Sequence, residues 1–136
     1  MARPRKAAIV SLATADGTRA LVVLVIEDEF LVRCNAADCL RDAGYEVVET
    51  ASSEEAIALC KSSTSIDIVF TDINLVGAAS GWDVAECFRI DRPDVAVLYT
   101  SVKLVDAQRC VPGSEFLTKP YKSDEILHAC QRLIGK

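Results

Sequence analysis

Residues 21–29 read LVVLVIEDE, an apolar run of six residues followed at once by three carboxylates. A continuous run rich in β-branched residues is typical of a strand buried on both faces of a parallel sheet. The acidic residues that follow the run are Glu27, Asp28 and Glu29. This stretch therefore predicts a buried central strand whose carboxyl end carries negative charge.

Further strand patterns alternate with helical stripes along the rest of the chain. The other predicted strands are Tyr45–Glu49, Ile66–Thr71, Val95–Tyr99 and Glu115–Leu117. The predicted helices are a stripe from Val32 to Ala43 that stops at Gly44, a helix opened by a capping box at Ser52 and Glu55, a helix over Trp82–Arg89, a weak helix over Val102–Arg109, and a last helix from Ser123. Strands that alternate with helices run parallel, and right-handed crossovers place helices on both faces of the sheet. We therefore expect an open, doubly wound α/β fold with a five-stranded parallel sheet.

Composition limits the classes of protein to which the chain can belong. The 136 residues are 51% hydrophobic and 26% charged, which fits one globular domain and excludes a disordered chain. The longest purely apolar run, residues 20–26, is far shorter than the roughly 20 residues of a membrane-spanning helix. The net charge is −5, with +3 in the first twenty residues and −8 in the remainder. An acidic body argues against nucleic acid as the main ligand, and we expect no membrane partner.

The N-terminal segment has a basic start followed by a short apolar stretch. Residues 3–6 read RPRK, and residues 13–15 read ATA, so the segment imitates a secretory signal with a small-residue cleavage site. Its apolar part is short and rich in alanine. We therefore predict a flexible basic tail over residues 1–19, a single domain over residues 20–136 and a cytoplasmic location. A mature chain that starts at Asp16 would contradict this prediction.

The six cysteines first suggest disulfides or zinc. They lack C-x-x-C spacing, and His128 is the single histidine of the chain, so a zinc site has little support. Most of them lie at apolar positions of the helical stripes, and we expect small, reduced, buried residues. They are Cys34, Cys39, Cys60, Cys87, Cys110 and Cys130.

Polar residues of complementary chemistry follow several predicted strands. In a sheet of this kind the ligand site lies beyond the carboxyl ends of the strands. The residues delivered there are Glu27 and Asp28, Asp72, Thr100, and Lys119. Crowded carboxylates repel one another unless a cation compensates, and so few oxygen ligands, completed by water, suit Mg²⁺. Magnesium, an ammonium group and a hydroxyl can together hold a phosphoryl group while a carboxylate acts as the nucleophile.

Four motifs make the chain similar to a known family. They are VLVIEDE (23–29), VFTDINL (69–75), VLYTS (97–101) and FLTKPY (116–121). In this order and spacing they resemble the response regulator receiver domain of two-component signalling, and the resemblance covers about residues 20–134. It implies a flavodoxin-like fold with strand order 2-1-3-4-5.

The resemblance also implies a role for each site residue. Asp72 would accept a phosphoryl group from a phosphohistidine on a sensor histidine kinase or a histidine phosphotransfer protein. Mg²⁺ would be bound by Asp28, Asp72 and the backbone carbonyl of Asn74, with Glu27 completing the pocket through water. Thr100 and Lys119 would contact the phosphoryl oxygens, and the peptide bond between Lys119 and Pro120 would be cis. Thr100 and Phe116 would form the switch, with the ring of Phe116 turning into space that Thr100 vacates.

The chain departs from the family pattern in three places. Glu27 stands where aspartate is commoner, and Phe116 lacks the hydroxyl of the commoner tyrosine. The loop over residues 76–81 lacks the usual proline and is one residue longer before its glycine. Because this loop borders Asp72, the rate of hydrolysis of the acyl phosphate is left open.

Three classes of function fit these observations. We expect a stand-alone receiver that is not an enzyme, with an unknown downstream protein as its output and an open oligomeric state. One alternative is a receiver-like module that binds partners without phosphorylation. The other is an aspartate-nucleophile phosphohydrolase, which normally places a second aspartate two residues after the nucleophile as general acid. That position is Asn74, which cannot donate a proton in this way.

Overall fold

The fold, taken from a computed structural model, is described for residues 19–102 and 107–135. The strands are β1 (Val22–Ile26), β2 (Glu46–Thr50), β3 (Ile68–Asp72), β4 (Ala96–Ser101) and β5 (Glu115–Thr118). The α-helices are α1 (Phe30–Asp42), α2 (Ser53–Cys60), α3 (Gly81–Asp91) and α4 (Ser123–Ile134), with a short 3₁₀ helix at Ala107–Arg109. The strands form one parallel sheet in the order β2-β1-β3-β4-β5, which confirms the predicted doubly wound α/β fold and its strand order.

Burial explains why the central strands read as continuous apolar runs. All five residues of β1 and all five of β3 are buried, because helices cover both faces of the sheet. Alternate residues of β1 enter different cores: Val23 and Val25 pack with α1 and α4, whereas Leu24 and Ile26 pack with α2 and α3. The sheet is therefore the middle layer of three.

Local sequence fixes the helix ends, and one predicted cap is wrong in detail. The Ser52 side chain accepts a hydrogen bond from the Glu55 backbone at 3.3 Å, as predicted, but the Glu55 carboxylate binds the backbone amide of Ala51 at 3.1 Å instead of that of Ser52. A reciprocal capping box opens α3 instead, where Ser80 and Asp83 bind each other's backbone amides. Gly44 follows α1 with a φ of 97°, a conformation that glycine adopts without strain.

Most predicted elements are found within two residues of their expected ends. The strand predicted over Ile66–Thr71 is β3, which starts later and includes Asp72. In place of the weak helix predicted over Val102–Arg109, Val102 lies in a bend and the 3₁₀ helix closes the segment; residues 103–106 lie outside the described ranges. The predicted tail also lies outside them, except Arg19, which makes a bidentate ion pair with Asp67 at 2.7 and 2.8 Å.

Two further expectations can be compared with the described residues. All six cysteines are free thiols, as expected, but only Cys60 and Cys130 are buried, and the other four are half-buried. Within the described ranges, each helix is too short or too polar to cross a bilayer.

Candidate functional site

The carboxyl ends of β1, β3, β4 and β5 bring the candidate residues to one edge of the sheet. Asp72 is the last residue of β3 and is the register partner of Thr100 on β4. Ser101 is likewise the partner of Thr118, and the Lys119 backbone amide donates to the Ser101 carbonyl at 2.8 Å. Parallel pairing therefore sets the Asp72 carboxylate, the Thr100 hydroxyl and the Lys119 ammonium group side by side.

Lys119 bridges two buried carboxylates. Its Nζ lies 2.7 Å from Glu27 Oε1 and 2.9 Å from Asp72 Oδ2. Glu27 is 3% exposed and Asp72 6% exposed, so little water screens these charges. Burial alone lowers the pKa of Lys119, but its hydrogen bonds to the two carboxylates raise that pKa by more, well above its ordinary value. Lys119 is therefore a fixed positive charge next to the Asp72 carboxylate.

Both carboxylate oxygens of Glu27 and its backbone carbonyl accept hydrogen bonds. Its second carboxylate oxygen accepts from the Glu29 backbone amide at 3.1 Å, and its carbonyl accepts from Arg33 at 3.0 Å. Burial raises the pKa of its carboxyl group, against the opposing effect of Lys119. These contacts fix the position of the Glu27 carboxylate at the carboxyl end of β1.

Asp72 is buried, and both of its carboxylate oxygens have partners. Its Oδ1 accepts from the Asn74 backbone amide at 3.1 Å, while Oδ2 contacts Lys119. Asp28, in contrast, is exposed. One carboxylate oxygen from each of Glu27, Asp28 and Asp72 lies within 4.8 Å of the others. This cluster of hard oxygen donors fits Mg²⁺, with water completing the coordination shell.

The Thr100 hydroxyl has no hydrogen-bond partner among the residues that the structure describes, although it is buried. Buried polar atoms are nearly always hydrogen-bonded, and an exception calls for an explanation such as a missing ligand. Thr50, at the end of β2, has a second hydroxyl of this kind. Only Thr100 is the register partner of Asp72.

The loop after Asp72 is anchored on α2 by residues that the sequence did not single out for this role. The Glu54 carboxylate accepts from the Ala78 amide at 2.9 Å, and Ser53 Oγ accepts from the Ala79 amide at 3.3 Å. Backbone hydrogen bonds to Glu54 lower the pKa of its carboxyl group. Gly77, with a φ of 124°, has no room for a side chain beside Ser53.

Gly81 allows α3 to begin directly against Asp72. Its amide donates to the Ile73 carbonyl at 2.8 Å, and a Cβ at this position would overlap the Asp72 carbonyl oxygen. The site thus depends on a close backbone approach that only glycine permits.

The other predicted site features lie around this centre. The Lys119–Pro120 peptide bond is cis, as the resemblance implied. Phe116 lies on β5, is half-buried, and packs against the core beneath α2 and α3. Trp82 packs on Tyr99, with ring centroids 5.1 Å apart. Sequence reasoning missed Arg33 and Glu54, since each contacts a partner from a different part of the chain: Glu49 at 3.3 Å and the Ala78 amide at 2.9 Å.

Comparison with known proteins gives consistent results. The family model described as "Response regulator receiver domain" matches residues 23–131. A response regulator receiver protein from Sinorhizobium medicae is 32% identical, with a TM-score of 0.82 over 85% of this chain and 95% of that one. The transcriptional regulatory protein PdtaR of Mycobacterium tuberculosis is 29% identical over 118 residues, which are 84% of this chain and 57% of PdtaR. The receiver domain of the Pseudomonas aeruginosa sensor histidine kinase PA1611, solved with magnesium in its active-site cleft, shares the fold at 21% identity and a TM-score of 0.75, over 85% of this chain and 98% of that one.

The fold and the acidic edge define a flavodoxin-like α/β domain of the two-component type. The chain belongs to the response regulator receiver domain family. Receiver domains of this family generally bind Mg²⁺ in the active site and interact with histidine kinases. The chain spans a little more than half the length of PdtaR, at 57%.

Proposed function

We propose that the chain accepts a phosphoryl group on Asp72 from a phosphohistidine of a sensor histidine kinase or a histidine phosphotransfer protein. The observation that carries this proposal is the juxtaposition of Asp72 with Lys119, at 2.9 Å, and with the buried hydroxyl of Thr100 on the paired strand, which has no partner in the described ranges. These groups match the needs of a transferred phosphoryl group: a carboxylate nucleophile, a fixed cation and a hydrogen-bond donor.

The chemistry of the transfer uses residues that are already in place. A carboxylate oxygen of Asp72 attacks phosphorus, a P–O bond forms, and the P–N bond to the donor imidazole breaks. The imidazole leaves with that electron pair and takes up a proton. Lys119 stays protonated and offsets the charge on the phosphoryl oxygens, while the Thr100 hydroxyl donates to one of them.

Asp28, Asp72 and the backbone carbonyl of Asn74 would hold Mg²⁺, with Glu27 acting through water. When bound, the ion supplies neutralisation of the phosphoryl charge. The cluster of three carboxylates supports this assignment, as does the exposure of Asp28, which leaves room for coordinated water. The PA1611 receiver domain, which has magnesium in its cleft, supports it by analogy.

We propose that the signal passes through Thr100 and Phe116. Phosphorylation adds nearly two negative charges at Asp72. The Thr100 hydroxyl then moves toward the new oxygens, and the ring of Phe116 turns into the vacated space, which reshapes the surface near β5. The half-buried position of Phe116 next to the β4 strand that carries Thr100 supports this coupling.

An apolar surface beside the site supports docking of the phosphohistidine donor. Phe30 and Leu31, the first residues of α1, are 65% and 72% exposed, and Val102 is 63% exposed. A cleft nearby is lined in part by Val32, Val102 and Lys119. Exposed apolar side chains around a polar pocket are typical of protein-binding surfaces.

The residue two positions after Asp72 bears on whether the domain is an enzyme. We propose a signalling domain, with no turnover of an external phosphoester, that works in the cytoplasm through contact with a downstream protein. Asn74 at the position of a phosphohydrolase's general acid supports the absence of such turnover.

One experiment separates the proposed function from its alternatives. The full chain is incubated with acetyl phosphate and Mg²⁺, and intact mass is followed for wild type, Asp72→Asn and Asp94→Asn, an exposed aspartate before β4. We expect one phosphoryl group per chain in wild type and Asp94→Asn, stable in acid, labile in alkali, and absent in Asp72→Asn. Multiple turnover of a phosphoester would favour a hydrolase, and the absence of any adduct would favour a module that works without phosphorylation.

A further inference from the structure

Two cysteines from different helices meet on the face of the sheet opposite α1 and α4. Cys60 is the last residue of α2, and Cys87 lies in the second half of α3. Their Sγ atoms are 3.5 Å apart, and the Cys87 thiol donates toward the Cys60 sulfur. The pairing of thiols separated by 27 positions is a product of the fold, and neither residue takes part in the proposed phosphoryl transfer.

We propose that Cys60 and Cys87 form a reversible intramolecular disulfide when the protein meets a hydroperoxide. The separation of 3.5 Å must shorten to about 2.0 Å, the length of an S–S bond. Both thiols sit on packed helices and already face each other, so the path is one of side-chain adjustment. The product would tie α2 to α3, the helix that begins against Asp72.

The surroundings of the two sulfur atoms differ, and the difference indicates which one is oxidised first. Cys60 is 3% exposed, whereas Cys87 is half-buried and is the sulfur that an oxidant reaches first. The Cys60 thiol points to the Asp91 carboxylate, with Sγ 3.5 Å from Oδ2, and Asp91 is in turn held by Lys61 at 3.1 Å. Burial raises the pKa of the Cys60 thiol to about 12, which makes it the slower nucleophile and the resolving partner.

The reaction balances in two steps. The Cys87 thiol attacks the peroxide O–O bond and becomes a sulfenic acid, while the hydroperoxide leaves as an alcohol or, from hydrogen peroxide, as water. Cys60 then attacks the sulfenic sulfur, its proton passes by way of the Asp91 carboxylate to the departing hydroxide, and that group leaves as water as the disulfide forms. Two electrons pass from the thiol pair to one peroxide molecule, and a dithiol reductant reverses the change.

A metal ion is the competing occupant of this cluster. Ligand atoms of Cys60, Cys87 and Asp91 lie within 4.8 Å of one another, and two thiolates with a carboxylate are a donor set that zinc accepts. The ammonium group of Lys61, however, lies 3.1 Å from the same Asp91 oxygen that faces Cys60. A cation already neutralises this carboxylate and repels a second one, so the geometry favours the disulfide.

Tryptic mapping tests the proposal on the wild-type chain. Cys60 lies alone in peptide 42–61 and Cys87 alone in peptide 62–89, so a cross-link between these peptides identifies the bond without ambiguity. The reduced full chain is treated with hydrogen peroxide, free thiols are alkylated, and the digest is analysed by mass spectrometry. We expect the Cys60–Cys87 link to form at least tenfold faster than a link between any other two cysteines, to disappear with dithiothreitol, and to lose its selectivity in urea.

Variants and a zinc titration complete the test. Cys60→Ser and Cys87→Ser should each abolish the link, whereas Cys34→Ser on α1 should leave it unchanged. The proposal is overturned if peroxide leaves Cys87 as a sulfinic acid with Cys60 still free, if other cysteines or other chains supply the links, or if no link forms in the folded protein. Tight binding of one Zn²⁺ by the reduced chain, lost in both pair variants, would overturn it in favour of a metal site.

Discussion

Asp72 and Thr100 are register partners on neighbouring parallel strands. The next residue after Asp72 joins the same strands, since the Ile73 amide donates to the Thr100 carbonyl at 3.0 Å. The carboxylate that would be phosphorylated and the hydroxyl that would sense it are therefore positioned by the same hydrogen-bonding ladder. Their relative placement does not depend on a mobile loop. It follows that substitutions at the two residues should affect phosphoryl binding without rearranging the sheet.

Thr100→Val should make the protein more stable and a poorer binder of phosphoryl groups. The variant removes a buried hydroxyl that has no partner among the described residues, so we expect the free energy of unfolding to rise by about 1 kcal/mol. The affinity for beryllofluoride with Mg²⁺, an analogue of the phosphoryl group, should fall at least tenfold. Urea denaturation and isothermal titration calorimetry measure the two effects.

Thr50→Val is the matched control for that variant, since Thr50 ends β2 and its buried hydroxyl also has no partner in the part of the chain that the structure describes. We expect a similar gain in stability with unchanged affinity for beryllofluoride. Equal affinities in Thr100→Val and wild type would contradict the role assigned to the Thr100 hydroxyl.

Lys119→Met should impair phosphorylation while leaving metal binding in place. The substitution removes the cation that lies 2.7 Å from Glu27 and 2.9 Å from Asp72, and it leaves two buried carboxylates facing each other. Breaking a buried ion pair costs about 3 kcal/mol of stability, part of which added Mg²⁺ should restore. The rate of adduct formation from acetyl phosphate should fall at least tenfold.

Intact mass and thermal denaturation with and without EDTA measure these effects. Lys122→Met, which alters an exposed lysine three positions later, should match wild type in both assays. A Lys119→Met protein that is phosphorylated at the wild-type rate would show that the ammonium group does not act on the phosphoryl oxygens.

Gly81→Ala should disturb the site through the backbone. The added Cβ would overlap the Asp72 carbonyl oxygen, so either α3 or the end of β3 must move. Overpacking of this kind costs about 2 kcal/mol, and we expect that loss of stability together with weaker Mg²⁺ binding. Gly135→Ala, at the end of α4, is the control and should change neither quantity measurably. A Gly81→Ala variant with wild-type Mg²⁺ affinity would argue against the importance of this close approach.

The ion pair between Arg19 and Asp67 should give the protein a pH-dependent share of its stability. Hydrogen bonds from Arg19 hold the pKa of the Asp67 carboxyl below its ordinary value. The stabilisation by this ion pair is therefore complete above the pKa of Asp67 in the unfolded chain, about 3.9, and is lost as the pH falls through the lower pKa of the folded protein. At pH 7, Asp67→Asn should lose about 1 kcal/mol of unfolding free energy, and the difference from wild type should shrink below about pH 4.

Chemical denaturation at a series of pH values measures this difference. Asp38→Asn, at an exposed position on α1, should lie within about 0.5 kcal/mol of wild type at every pH. A difference at Asp67 that stays constant down to pH 2 would mean that packing, rather than charge, is responsible.

The sequence predicts this fold well wherever one local pattern suffices. The six apolar residues before Glu27 identify β1, because a strand covered on both faces needs no alternation of polar residues. The acidic edge is also predictable, since parallel strands all deliver their last residues to the same side. The observed strand ends differ from the predicted ones where pairing between strands sets them. Pairing with Thr100, for example, extends β3 by one residue to include Asp72.

Other contacts cannot be read from local pattern because they join distant parts of the chain. Glu54 lies in an obvious capping sequence, yet its carboxylate binds the amide of Ala78, 24 positions away. The meeting of Cys60 with Cys87 is of the same kind, since each cysteine alone is an ordinary apolar position of a helix. The close approach of Gly81 to Asp72 is likewise visible only once α3 is placed against β3.

Reductive trapping tests the central claim most directly. Borohydride converts an aspartyl phosphate to homoserine, and tryptic peptide 62–89 contains Asp67, Asp72 and Asp83, so fragmentation of this peptide locates the modified residue among three aspartates. After treatment with acetyl phosphate and Mg²⁺, we predict homoserine at position 72 alone. Homoserine at position 28, 67 or 83, or a peptide left unmodified in a protein that has gained a phosphoryl group, would contradict the assignment of Asp72 as the acceptor.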